Sequence, residues 1–150
     1  MKKILSVTIF IFLTSCGGYN PIYSSKDLNF SIYKINNINN DRITQNIKKN
    51  LKPYLQNFRK GSLTLDITSS KDIIIVAKNK KGDPSVFEMT IKSKVVVSSN
   101  TLDEEFNFVE KFNLNNQSNK FEFEQYKKNI ENDLSNKIYE ELLLKLKSLK

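Results

Sequence analysis

The chain has 150 residues, a formal charge of +8, no histidine, no tryptophan and a single cysteine, Cys16. These counts exclude His-based triads and nearly all zinc sites, and the basic balance favours anionic partners: nucleic acid, acidic lipid or phosphorylated glycolipid. A chain of this size is one domain by the usual prior, and it contains neither a Gly-rich phosphate loop nor a Walker or Rossmann pattern.

The N-terminus carries Lys2 and Lys3, then the uncharged run ILSVTIFIFLTS. That run falls short of the about 20 apolar residues of a membrane-crossing helix and has the length of a signal-peptide apolar region. Cys16 follows Leu13-Thr14-Ser15 and precedes Gly17 and Gly18. An odd cysteine in an exported protein needs an explanation. The leucine at −3 and the small residues on both sides of the bond resemble the bacterial lipobox, in which the cysteine thiol receives diacylglycerol, the chain is cut before it, and the new amine is acylated. The resemblance implies a lipoprotein signal peptide over 1–15, lipid attachment at Cys16, a lipidated linker over 16–28 and a single domain over 29–150. Two or more acyl chains hold a soluble domain at a bilayer surface. The alternatives are an ordinary signal peptide with a free thiol, or a short anchor helix. Removing Lys2 and Lys3 with the signal leaves the remainder basic. Export makes nucleic acid the least expected of the anionic partners, and acylation of Cys16 would leave no thiol nucleophile.

The linker is followed by LNFSIYKI, a predicted strand with Phe30, Ile32 and Lys34 on one face and Tyr33 and Ile35 on the other. Asp41 is placed to cap a helix. Ile43, Ile47, Leu51, Tyr54, Leu55 and Phe58 recur at intervals of three and four as one amphipathic stripe. Pro53 should kink that helix or end it early, and Gly61 closes the segment. SLTLDIT then alternates, with Leu63, Leu65 and Ile67 on one face. DIIIVAK reads as a separate, denser strand that could be covered on both sides. NKKGDPS is turn chemistry. VFEMTIKSKVVV puts Phe87, Met89, Ile91, Val95 and Val97 on one face, and FNFVEKFNL carries Phe106, Phe108 and Phe112 in phase. The short links imply an antiparallel meander with one dry face.

The last segment supplies cover for that face. Phe123, Tyr126, Ile130, Leu134, Ile138, Leu142, Leu146 and Leu149 run at helical spacing, with Lys127, Lys128, Glu131, Asp133, Lys137 and Glu140 expected on the solvated side. Leu134 and Ile138 should pack on the face carrying Ile91, Val95, Phe106 and Phe108. The predicted order is strand, helix, four strands, long helix. It describes a two-layer α+β domain with two helices packed on one face of a mostly antiparallel four- to five-stranded sheet. A carboxylate pair could serve a hydrolase, but the acids fall mostly on predicted solvated faces and turns. No enzyme is expected, and no cofactor.

The residues also carry a resemblance. LTSC followed by glycine, an aromatic and NPIY is similar to the opening of the lipopolysaccharide-assembly lipoproteins, and DRITQNIKKNLKPYL resembles their first helix, with Lys49-Asn50-Leu51 at its end. SLTLDI, the hairpin strands and YKKNIENDLSNKIYEELLLKL follow in that family's order over residues 16–147. Pro53 inside the first helix and Gly18-Tyr19 in place of Gly-Phe depart from the pattern. The resemblance implies a lipoprotein at the periplasmic leaflet of the outer membrane. There it would plug a lipopolysaccharide-translocating β-barrel, help that barrel fold, and bind lipopolysaccharide without catalysing a reaction. Basic residues at the hairpin and at the exit of the last strand are implicated in that family's lipid binding. The matching positions here are Lys78, Lys80, Lys81 and Lys120. A solubilising loop is the competing role for these lysines. A free-standing periplasmic lipoprotein binding an anionic envelope ligand, or serving an envelope transporter, is the alternative for the whole protein.

Overall fold

The computed structural model describes residues 30–39 and 41–149. Cys16, the signal segment and the linker lie outside them. Four strands form one sheet in the order β1-β2-β3-β4: β1 (Ile32–Asn37), β2 (Leu63–Lys78), β3 (Pro84–Ser98) and β4 (Asp103–Asn115). The helices are α1 (Arg42–Leu51) and α2 (Lys120–Ser148). β2, β3 and β4 form the antiparallel meander, whereas β1 lies parallel to β2. A parallel pair needs a crossover connection, and α1 supplies it. Both helices cover the same face, so the domain is a two-layer α+β arrangement.

β1 departs from simple alternation. The register shifts between Ile32 and Lys34, so Ile32 and Ile35 are both buried while Tyr33 and Lys34 are exposed. This local irregularity reverses the expected placement of Ile35. The Tyr33 ring instead meets Phe58 edge-on, with centroids 5.1 Å apart.

α1 starts where expected. Asp41 Oδ1 accepts the Thr44 N–H at 2.9 Å, satisfying one of the helix's open donors. Ile43, Ile47 and Leu51 are buried. Pro53 sits in a 3₁₀ turn over Lys52–Tyr54, and the chain is extended from Leu55. Tyr54 therefore stays in the core, but Leu55 and Phe58 leave the stripe and are exposed.

SLTLDIT and DIIIVAK are not two strands but one of 16 residues. Ser69 and Ser70 look like a break in the sequence, yet the Ser69 hydroxyl lies buried between Thr44 Oγ1 at 3.0 Å and Ser93 Oγ at 2.8 Å. Paired hydroxyls carry the strand through the core without an unsatisfied polar group. The outer half of β2 is not covered on both sides: Ile74, Ile75 and Val76 are each about half exposed.

Leu134 and Ile138 join Ile91, Val95 and Phe108 in one buried cluster, with Phe106 partly buried against it. The solvated face of α2 needs one correction. Glu131 is buried, and its carboxylate takes Lys71 Nζ of β2 at 2.5 Å and Arg42 Nε of α1 at 3.9 Å. Lys137 is exposed but donates at 2.6 Å to Glu110, which lies in the dry face of β4 with a side chain only 10% exposed. Each acid lies next to the core with a cation from another element in reach, the pairing that burial of a carboxylate calls for. α1 and α2 are joined by amide pairs, Asn46 to Asn132 at 2.8 Å and Asn50 to Asn136 at 2.9 Å, and by the Tyr54 and Tyr139 hydroxyls at 3.2 Å.

Candidate functional site

β2 and β4 both run antiparallel to β3, so the β2–β3 turn and the exit of β4 reach the same end of the sheet. Asn79 organises the turn. Its side-chain oxygen accepts the N–H groups of Lys81 at 2.9 Å and Asp83 at 3.0 Å, and its amide donates to Asp83 Oδ2 at 3.2 Å. Gly82 closes the turn at φ +88°, a conformation open to glycine at no steric cost. The turn's polar groups are thus satisfied internally, and the Lys80 and Lys81 side chains stay exposed.

The exit of β4 is stitched to the base of the same hairpin. Asn116 donates its backbone N–H to Ser85 O at 2.9 Å and its side-chain amide to Pro84 O at 2.8 Å. Asn119 then caps α2, its side-chain oxygen accepting from Phe121 N at 3.0 Å and Glu122 N at 3.4 Å. Lys120 is the first residue of that helix. Lys78, Lys80, Lys81 and Lys120 therefore stand at one end of the sheet, all exposed and none in an ion pair among the described residues. The acids beside them are engaged: Asp83 by Asn79, and Glu122 by the Asn119 amide at 3.1 Å.

Sequence reasoning missed the apolar part of this end. Phe121, next to Lys120, is 70% exposed, and Ile74, Ile75 and Val76 lie just below the hairpin turn. The signal for Phe121 was its position: an aromatic in the first turn of α2, off the stripe of Phe123, Tyr126 and Ile130. Phe123 turns inward onto Phe87, centroids 5.4 Å apart, with Lys127 Nζ 5.0 Å above its ring. Free ammonium groups beside exposed apolar side chains suit an amphiphile with anionic headgroups. Lysine would meet each phosphate as a point charge, without the two-pronged fit of arginine.

The opposite, helix-free face of the sheet carries two ion pairs alongside exposed Ile74 and Val109. Lys94 meets Glu105 at 2.7 Å and Lys111 meets Glu88 at 2.9 Å across neighbouring strands. Hydrogen bonds from these lysines hold both carboxyls below the ordinary glutamate value of 4.5. The Glu110 hydrogen bond holds Lys137 above the ordinary lysine value of 10.5. Among the described residues no three His, Cys, Asp or Glu side chains gather as metal ligands would, and no helix is long and apolar enough to cross a membrane.

No family model matches the chain, and no curated protein matches it. Solved structures do. The rare lipoprotein B of Shewanella oneidensis superposes with a TM-score of 0.65 at 8% identity, over 77% of this chain and 93% of that one. An uncharacterized lipoprotein B from Nitrosomonas europaea gives 0.60 at 10% identity, over 87% and 91%. A third chain, from Caulobacter crescentus CB15, gives 0.51 at 9% identity, over 76% and 88%. At such identities the likeness is one of fold: this chain shares its fold with bacterial lipoproteins described as lipoprotein B.

Proposed function

We propose that the protein is an envelope lipoprotein, anchored through Cys16 at the periplasmic leaflet of the outer membrane. It plugs and helps assemble a lipopolysaccharide-translocating β-barrel and binds lipopolysaccharide during delivery. Three things support the reading: the lipobox-like sequence around Cys16, a fold shared with bacterial lipoproteins, and ion pairs across the helix-free sheet face, which suit the polar interior of a large barrel. The observation that carries the lipid-binding part is the unpaired set Lys78, Lys80, Lys81 and Lys120 beside exposed Phe121. Exposed charge pairs are individually worth under about 1 kcal/mol, so the set would have to act together. No group for catalysis is assigned.

The test is a triple charge reversal, Lys80→Glu, Lys81→Glu and Lys120→Glu, with binding to purified lipopolysaccharide measured against salt. These side chains are exposed and carry no packing, so the fold should persist by circular dichroism. Affinity should fall and its salt dependence flatten. A folded triple variant with unchanged affinity and salt slope would reduce the lysines to solvated surface.

A further inference from the structure

β2 has a second edge that is only partly used. β1 pairs with it over Leu63–Ile67, and Ile38 N donates to Ile67 O at 3.1 Å. The next rung is made by a side chain. Asn39 Oδ1 accepts the Ser69 N–H at 3.2 Å, and the Asn39 amide donates back to Ser69 O. There the ladder stops. Backbone groups alternate sides along a strand, so Lys71, Ile73 and Ile75 present their N–H and C=O groups to the same edge. Among the described residues nothing pairs with them there. The bulge between Ile75 and Ala77 ends the regular stretch.

Open edges are normally guarded by charge, proline or shortness. This one is long, and its centre is four consecutive aliphatics, Ile73 to Val76, the last three half exposed. Charge lies on either side of them, Lys71 and exposed Asp72 before the aliphatics and Lys78 after. Lys71 is held by Glu131 at 2.5 Å, while Lys78, followed by Lys80 and Lys81 in the turn, has no counter-ion.

We propose that this edge receives an extended segment of a partner protein, added antiparallel to β2, with acidic residues followed by alternating aliphatics. Main-chain bonds to Lys71, Ile73 and Ile75 give affinity, and side chains beside Ile73 to Val76 give specificity, the logic of strand addition. Antiparallel pairing is the more stable ladder, and it sets the partner's leading residues against Lys78, Lys80 and Lys81, where acids complement the charge. A second copy of this chain fits less well. Paired antiparallel, it would bring the cations of each turn alongside Lys71 and Arg42 of the other. A lipid tail fits less well still, because it leaves the N–H groups unsatisfied. The proposal does not depend on the lipopolysaccharide reading.

The probe is the peptide Asp-Glu-Asp-Val-Thr-Val-Thr-Val, titrated into the purified chain while amide hydrogen exchange is followed by NMR. Exchange should slow at Lys71, Ile73 and Ile75 and change little at Asp72 and Ile74, which already bond β3. The reversed-order peptide, Val-Thr-Val-Thr-Val-Asp-Glu-Asp, should bind more weakly. Ile73→Pro removes an edge-facing donor, a substitution edge strands tolerate, along with an isoleucine side chain packed against the core, and in the folded variant should weaken binding roughly three- to tenfold, as for one lost hydrogen bond. N-methylating the central valine of the peptide makes the same deletion from the other side, whatever that variant's folding. Three results would overturn the proposal: no protection at these three amides with millimolar peptide, equal binding of the N-methylated peptide, or protection that rises with protein concentration alone, which would assign the edge to a second copy.

Discussion

Replacing Lys71 with methionine should destabilise the domain more than neutralising the acid it serves. Glu131 has a side chain 6% exposed, while its two cations are 39% and 45% exposed. Lys71→Met leaves a buried carboxylate facing Arg42 Nε at 3.9 Å, beyond hydrogen-bond distance. Breaking a fully buried pair costs about 3–5 kcal/mol. Arg42 can approach in part, so we expect about 2–3 kcal/mol here. Glu131→Gln keeps the shape and an acceptor and frees two cations that already reach water, which should cost about 1 kcal/mol, one net hydrogen bond. Adding Glu131→Gln to Lys71→Met removes the stranded charge, so the double variant should be more stable than Lys71→Met alone, a coupling expected of residues in direct contact. Urea unfolding followed by far-UV circular dichroism measures all three against the wild type. Simple additivity, or a larger loss in Glu131→Gln, would refute the reasoning that the buried partner sets the cost.

Other outcomes are fixed by the same structure. Ile138→Ala empties a fully buried site and should cost about 2–5 kcal/mol, whereas exposed Lys128→Ala should stay within roughly 0.5 kcal/mol; equal shifts in melting temperature would mean that the helix is rotated from the phase described. Stability should fall on both sides of a plateau. Glu88 and Glu105, held below 4.5, contribute above that pH and lose their contribution as pH falls through their depressed values. Lys137, held above 10.5, contributes below that pH and loses it as pH rises through its raised value. Urea midpoints measured across pH should show a shallower acid limb in Lys94→Ala with Lys111→Ala, and an unchanged limb would place the acid transition elsewhere. Cys16→Ala should leave an unprocessed precursor without fatty-acid label, and normal acylation of that variant would exclude Cys16 as the anchor.

The helices were legible because their apolar residues repeat with little interruption: Ile43, Ile47 and Leu51 in α1, and Leu134, Ile138, Leu142 and Leu146 in α2 are all buried. Asp41 and Pro53 marked the limits of α1 through chemistry local to the chain. What periodicity could not show depends on partners distant in sequence. Ser69 reads as a strand break until Thr44 and Ser93 meet it, and Glu131 reads as solvated until Lys71 and Arg42 arrive from other elements. The register shift in β1 leaves no sequence mark, so simple alternation puts Ile35 on the wrong face. The gathering of Lys78, Lys80, Lys81 and Lys120 followed from the meander alone, since β2 and β4 must end together. Phe121 was visible only as a residue the stripe did not use.

The most direct test of the proposed role is the company the protein keeps in its own membrane. Outer membranes solubilised in mild detergent, with the chain captured through a C-terminal tag and its partner identified by mass, should yield one β-barrel protein far larger than this chain in near-equal amount. Recovery of the chain alone, or with components of an inner-membrane transporter, would contradict the plug and favour a free-standing or auxiliary lipoprotein.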